Sequence, residues 1–233
     1  MKKKQLKTKV YGIMFIVFGI MFSYAGYQIV EDKISQNNYE KQREKISQIK
    51  QEEKGKKLSE MNSDYVGWLS IEGMAIDTAV VQTTDNDYYL THDFEGKKSK
   101  YGAVFMDTRS KKGTDLIIYG HHMKDGTVFA PLFEYKSDRF IEEHKRIRYC
   151  SMEEECKEYK IFAVIEMDLI KEAYDYTEII EKKISYEEYL KEIRGYASYF
   201  DEGVKGEQIE QIMVLSTCSY ISKDARFAVF GYR

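Results

Sequence analysis

The 21 residues from Val10 to Val30, VYGIMFIVFGIMFSYAGYQIV, contain no charged side chain. At about 1.5 Å rise per residue, a helix of this length crosses the roughly 30 Å hydrocarbon layer of a bilayer. No other stretch constrains the chain as strongly, because lipid admits only a helix here. Lys2, Lys3, Lys4, Lys7 and Lys9 precede the run, and Glu31 and Asp32 follow it. The positive-inside tendency then makes residues 1–9 a cytoplasmic basic tail, residues 10–30 a single-pass membrane anchor and the remainder extracellular. A signal peptide cleaved after SYA is the competing reading, but the apolar run continues past that point and exceeds an ordinary signal core.

Those five lysines are the only charges in the first 30 residues, so a net charge of −3 overall leaves −8 on the rest. An acidic remainder lacks the electrostatic footprint of a nucleic-acid binder. Residues 31–60 are rich in Lys, Glu and Gln, contain no Pro, and space their apolar residues Ile34, Tyr39, Ile46 and Ile49 thinly. This predicts a polar helical stalk. From residue 61 to residue 233 the texture becomes that of a folded domain, and a whole chain that is 43% apolar and 14% aromatic can supply its core. Eight short apolar or alternating runs follow: VGWLSI, AIDTAVVQ, GAVFMD, DLIIYG, RIRYC, YKIFAVIEM, QIMVLSTC and RFAVFGY. Bounded by Gly, Asn, Asp and Lys, they predict a mostly β barrel or sandwich. Only ISYEEYLKEIRGYASYF departs from this pattern. Its Tyr186, Tyr189, Leu190, Ile193, Ala197 and Phe200 keep helical spacing and predict an amphipathic helix between two late strands.

Chemistry has few candidate carriers. The chain has three cysteines and four histidines, His92, His121, His122 and His144. His121 and His122 follow the apolar run DLIIYG, so they are projected from a strand end. Cys218 and Arg226 lie at the facing ends of the last two predicted strands. A thiol enzyme needs such a Cys and His close in space, which spacing alone does not establish. A lone Cys is more commonly a small core residue, and an Arg on a strand usually pairs with an acid. Zinc is disfavoured, because no CxxC or HxxxH pair exists and adjacent histidines in an extended segment point apart. Cys150 and Cys156 flank SMEEE and could face each other across a hairpin, with nothing in the sequence fixing their separation.

VLSTC, IIYGHHM with TVFAPL, and DARFAVFGYR together resemble the sortases, the cell-wall transpeptidases of Gram-positive bacteria. NSDYVGWLSIEGMAIDTAVVQTTDNDYYLTHDFEGKKSKYGAVFMDTR and the helix from about Ser185 to Asp201, inserted before the cysteine strand, resemble class B of that family. Val214 departs from the family's Thr-Leu-x-Thr-Cys motif. The likeness covers nearly all of residues 58–233 and the anchor. It implies an eight-stranded β-barrel with an N-terminal helical segment and the inserted helix. It further implies Cys218 as nucleophile, His121 as general acid/base and Arg226 as stabiliser of the oxyanion or substrate, with Thr217, Ser216 and Tyr220 as substrate-binding residues. The substrates implied are secreted proteins with a C-terminal sorting signal of Asn-Pro-x-Thr or related type and an amine of a peptidoglycan precursor. Neither cofactor nor metal is implied. The alternative is a membrane-tethered, non-catalytic β-domain that binds the cell wall and keeps Cys218 buried.

Overall fold

In the computed structural model, which describes residues 2–53, 56–111, 113–152, 155–172, 174–181 and 184–233, helix α1 (Lys2–Glu53) is continuous. Its apolar stretch is exposed all round, with Phe15, Ile16, Phe22 and Ile29 65–80% accessible. A helix apolar on every face needs a non-aqueous or protein environment. Among the described residues it is the one helix long and apolar enough to cross a membrane, with a mean hydropathy of 1.8 over its most apolar window.

The chain divides into two compact units, Met1–Glu44 and Lys45–Arg233. The second therefore begins inside the span that reads as a stalk, and its packing explains why. Ile46 is buried and Ile49 half-buried in a cluster with Leu58, Tyr65, Trp68, Val81 and Phe105, while Lys50 Nζ sits 4.1 Å above the Trp68 ring. Helix α2 (Lys56–Met61) leads through this cluster into the strands.

The strands are β1 (Tyr65–Ile71), β2 (Asp77–Val81), β3 (Phe105–Met106), β4 (Leu116–Tyr119), β5 (Arg146–Ser151), β6 (Lys157–Asp168), β7 (Ala197–Phe200), β8 (Ile212–Cys218) and β9 (Ala225–Tyr232). Short helices intervene: α3 (Asp138–Glu143), α4 (Leu169–Glu172) and α5 (Tyr186–Tyr196). The order β5-β1-β2-β3-β4-β8-β9-β6 closes through β5–β6 pairing into an eight-stranded barrel, as the family resemblance implies. The pairs β2–β3 and β4–β8 are parallel and the rest antiparallel. The twelve residues of β6 outrun β5, so Ala163–Ile165 have a free edge, and β7 pairs there. This shortens the predicted helix: α5 ends at Tyr196, and Ala197 and Phe200 lie on a strand instead. Fully buried Leu69, Val80, Leu215 and Val229 alternate with residues packed on the barrel's outer face.

Alternation also builds the outer cover. Ile117 of β4, Ile212 and Val214 of β8, and Ala228 and Phe230 of β9 pack against Tyr176, Ile179, Tyr189, Leu190 and Ile193 of the segment inserted between β6 and β8. Helix α5 starts at a capping box, where Ser185 Oγ accepts from Glu188 N at 3.2 Å and Glu188 Oε2 accepts from Ser185 N at 3.0 Å. Such a box contributes about 1 kcal/mol.

Candidate active site

Strand register brings the three predicted site residues together. Tyr119 of β4 pairs with Ser216 of β8, and Gly120 N continues the ladder to Ser216 O at 3.2 Å. Two residues further along each chain stand His121 and Cys218. Across the other edge of β8, Cys218 pairs with Arg226. With neighbouring strands about 4.8 Å apart, Cys218 and Arg226 stand side by side at one end of the barrel, and His121, two residues past the end of β4, continues this row beyond the ladder. Alternation fixes their face: Cys218 follows Ile212, Val214 and Ser216, and Arg226 follows Phe230 and Ala228, all on the side covered by the inserted segment.

Cys218 ends a strand whose other residues are buried, yet it is exposed and outside any disulfide. That disfavours the reading of Cys218 as a packed core thiol. His121 Nε2 lies 2.7 Å from Leu90 O. A carbonyl only accepts, so Nε2 carries the hydrogen and Nδ1 is left to exchange a proton. Two glycines allow close packing here, Gly102 beside this ring and Gly120 beside the Phe129 ring. A Cβ on Gly120 would stand 2.7 Å from the Phe129 ring, and Gly102, at φ +59°, would carry a Cβ 3.1 Å from His121 Cδ2. The loop after His121 is strained: Val128 has φ 58°, which a β-branched residue adopts only when the surroundings impose it. The bridge of Val128 to His122 and the bond from Phe129 N to His121 O, 3.0 Å, hold it there.

Arg226 donates from Nη1 to Ala225 O at 3.0 Å. Among the described residues its remaining N–H groups have no hydrogen-bond partner. They face an open cleft of about 470 Å³ lined by Tyr119, Tyr176, Leu169, Arg109 and Asp175. Arg109 is held by Asp107, which is fully buried. Asp107 Oδ1 accepts from Arg109 N at 2.9 Å and Nε at 3.0 Å, and Oδ2 accepts from Arg109 Nη2 and Tyr119 Oη, both at 2.9 Å. Burial pushes the Asp107 pKa up, but the Arg109 hydrogen bonds outweigh it and hold the carboxyl below the usual range. Arg109 Nη2 also reaches Thr177 Oγ1 at 3.0 Å, tying the strands to the inserted segment.

The other sequence candidates take different positions. Ser216 is buried, with its Oγ 2.6 Å from Tyr176 Oη. Thr217 is 2% exposed on the opposite face, and its hydroxyl has no hydrogen-bond partner among the described residues. Tyr220, 61% exposed, donates to His122 O at 2.8 Å. His122 points away from His121, its ring between Phe133 at 4.1 Å and Tyr220 at 4.6 Å. His92 and His144 bond Tyr88 O and Glu72 O outside the row. Cys150 and Cys156 form a disulfide closing the β5–β6 hairpin. Sequence reasoning missed Leu90, Asp107, Arg109 and Tyr176. Leu90 acts through its carbonyl, which has no side-chain signature, whereas the DxR of FMDTR was a readable hint of a carboxylate–guanidinium pair.

Residues 69–233 match the Sortase domain family. The chain is 35% identical over 161 residues to Sortase B of Listeria monocytogenes, covering 68% of this chain and 64% of that protein, so it spans just under two thirds of that relative. It is 30% identical over 228 residues to Sortase B of Staphylococcus aureus, covering 94% and 91%. A solved Staphylococcus aureus sortase B–substrate complex superposes with a TM-score of 0.73 at 27% identity, covering 87% of this chain and 97% of that one.

Proposed function

Because the chain belongs to the sortase family, class B, we propose that it is a cysteine transpeptidase that cleaves a C-terminal sorting signal and joins the released acyl group to an amine. The observation that carries this reading is the row of an exposed thiol, a histidine with one committed nitrogen and an arginine with unused donors. In this reading the Cys218 thiolate attacks the carbonyl of a Thr residue in a signal of Asn-Pro-x-Thr or related type. The C–N bond breaks as a thioester forms. His121, protonated on both nitrogens, gives its Nδ1 proton to the departing amine, then accepts one at Nδ1 from the incoming amine. Arg226 presents fixed N–H directions to the oxyanion or the adjoining substrate backbone, where charge develops. The incoming amine belongs to a peptidoglycan precursor, so the product is a surface protein linked to the wall.

The same reading gives α1 its role. Residues 1–9 stay in the cytoplasm, residues 10–30 anchor the chain, and the catalytic unit works outside the membrane. Holding enzyme and membrane-tethered substrate in one plane raises their effective concentration. Incubating residues 31–233 with sorting-signal peptides and an amine acceptor, with products read by mass, tests the activity. We expect cleaved and transferred products from the parent domain and neither from Cys218→Ala. Turnover above background in a folded Cys218→Ala domain would contradict the assignment.

A further inference from the structure

The pair of histidines leaves one ring that the reaction above does not use. His122 Nδ1 lies 3.2 Å from the carbonyl oxygen of Cys218 itself. The carbonyl can only accept, so Nδ1 carries the hydrogen and bonds the main chain of the nucleophile. The contact is reciprocal across the turn, since Tyr220 Oη donates to His122 O at 2.8 Å. Between them, Ser219 Oγ donates to Glu166, whose other carboxylate oxygen pairs with Lys136 Nζ at 2.6 Å. Three consecutive residues, Cys218, Ser219 and Tyr220, are thus each held by a separate side-chain contact. Phe133 and Tyr220 fix the plane of the His122 ring from two sides. Burial lowers the His122 pKa, in the direction that keeps the ring neutral; the Cys218 carbonyl bond opposes this, Lys136 reinforces it and Glu166 counters it.

We propose that His122 is a positioning residue that aims the Cys218 thiol by anchoring its carbonyl, while His121 alone exchanges protons. This rests on the reading of Cys218 as nucleophile. Cys218 stands at the exposed end of β8, where the ladder partner on the β4 side has already given way to the His121 loop. A strand end frays unless something replaces the missing ladder bond, and the His122 N–H does so. Loss of that bond leaves the thiol present but misdirected, which lowers turnover more than substrate binding.

The test uses the full-length chain in detergent, a sorting-signal peptide and an amine acceptor. His122→Phe keeps an aromatic ring between Phe133 and Tyr220 and removes the donor. His122→Asn places an amide N–H near the position of Nδ1, and His122→Gln places it near Nε2. We expect His122→Phe and His122→Gln to lower kcat about tenfold with KM within twofold, and His122→Asn to recover kcat to within about threefold of the parent. Wild-type kcat in both Phe and Gln variants would overturn the role of His122. So would an Asn variant as slow as the Gln variant at an unchanged melting temperature. Cys218→Ala is run beside them: retained turnover there overturns the nucleophile reading, whereas its loss with wild-type kcat in His122→Phe and His122→Gln overturns only the positioning role.

Discussion

Replacing Asp107 by Asn removes one charge from a fully buried carboxylate of the catalytic unit and keeps its shape. The carboxylate accepts four hydrogen bonds, three from Arg109 and one from Tyr119. An amide keeps one oxygen for two of them and turns an NH₂ toward the Arg109 and Tyr119 donors. Breaking a buried pair costs about 3–5 kcal/mol when the remaining charge is trapped. Arg109, however, is 38% exposed, so water recovers part of its charge. We expect a loss of about 2–3 kcal/mol, which for a domain of this size lowers Tm by roughly 5–10 °C at pH 7. The Asp107 pKa is lowered in the fold, so its contribution is complete above the unfolded carboxylate value of about 4 and disappears as pH falls through the lower folded value. The gap between parent and Asp107→Asn should therefore stay constant from pH 5 to 8 and narrow below about pH 4. Thermal unfolding of residues 31–233, followed by circular dichroism across this range, measures it. A Tm within 1 °C of the parent at pH 7, or a gap that widens in acid, would refute the reasoning.

Arg226→Lys keeps the charge and replaces the planar fork with a compact ammonium, so it should lower kcat/KM about 10²–10³-fold; near-parental turnover would leave only a charge effect. Thr217→Val removes a buried hydroxyl that has no partner among the described residues, and we expect Tm to rise by about 2–4 °C; a fall would mean that the hydroxyl is satisfied in solution. Cys150→Ser with Cys156→Ser should cost about 2 kcal/mol of stability and leave kcat unchanged. The hairpin lies at the end of the sheet where β6 Lys160 meets β9 Tyr232, whereas Arg226 pairs with Met167 at the other end. A large kcat loss would contradict this separation.

Much of the barrel was readable because each strand obeys a local rule. The eight apolar runs correspond to β1–β6, β8 and β9, since a strand buried on one or both faces writes its burial into the sequence. The ninth strand, β7, was not readable as one. ASYF continues the helical spacing of α5, and only the free edge of β6 at Ala163–Ile165 makes it pair. The far end of α1 was misleading in a similar way: Ile46 and Ile49 are too sparse to signal a core face, but Leu58, Tyr65 and Trp68 meet them from elsewhere in the chain. Candidate residues such as Cys218 and His121 stood out by residue type. Their proximity did not, because it depends on a parallel β4–β8 pairing between segments almost a hundred residues apart. Family motifs supplied that link, and register then gave it a physical form.

The central claim is that Cys218 carries the acyl group, and trapping that intermediate tests it most directly. Residues 31–233 mixed with a sorting-signal peptide in the absence of an amine acceptor, quenched in acid within the first turnover, can be digested and read by mass. The account predicts an adduct equal to the acyl half of the peptide on Cys218 alone, sensitive to hydroxylamine and discharged by added amine. An adduct on any other residue, or amine transfer at the parental rate with no adduct at any quench time, would contradict it.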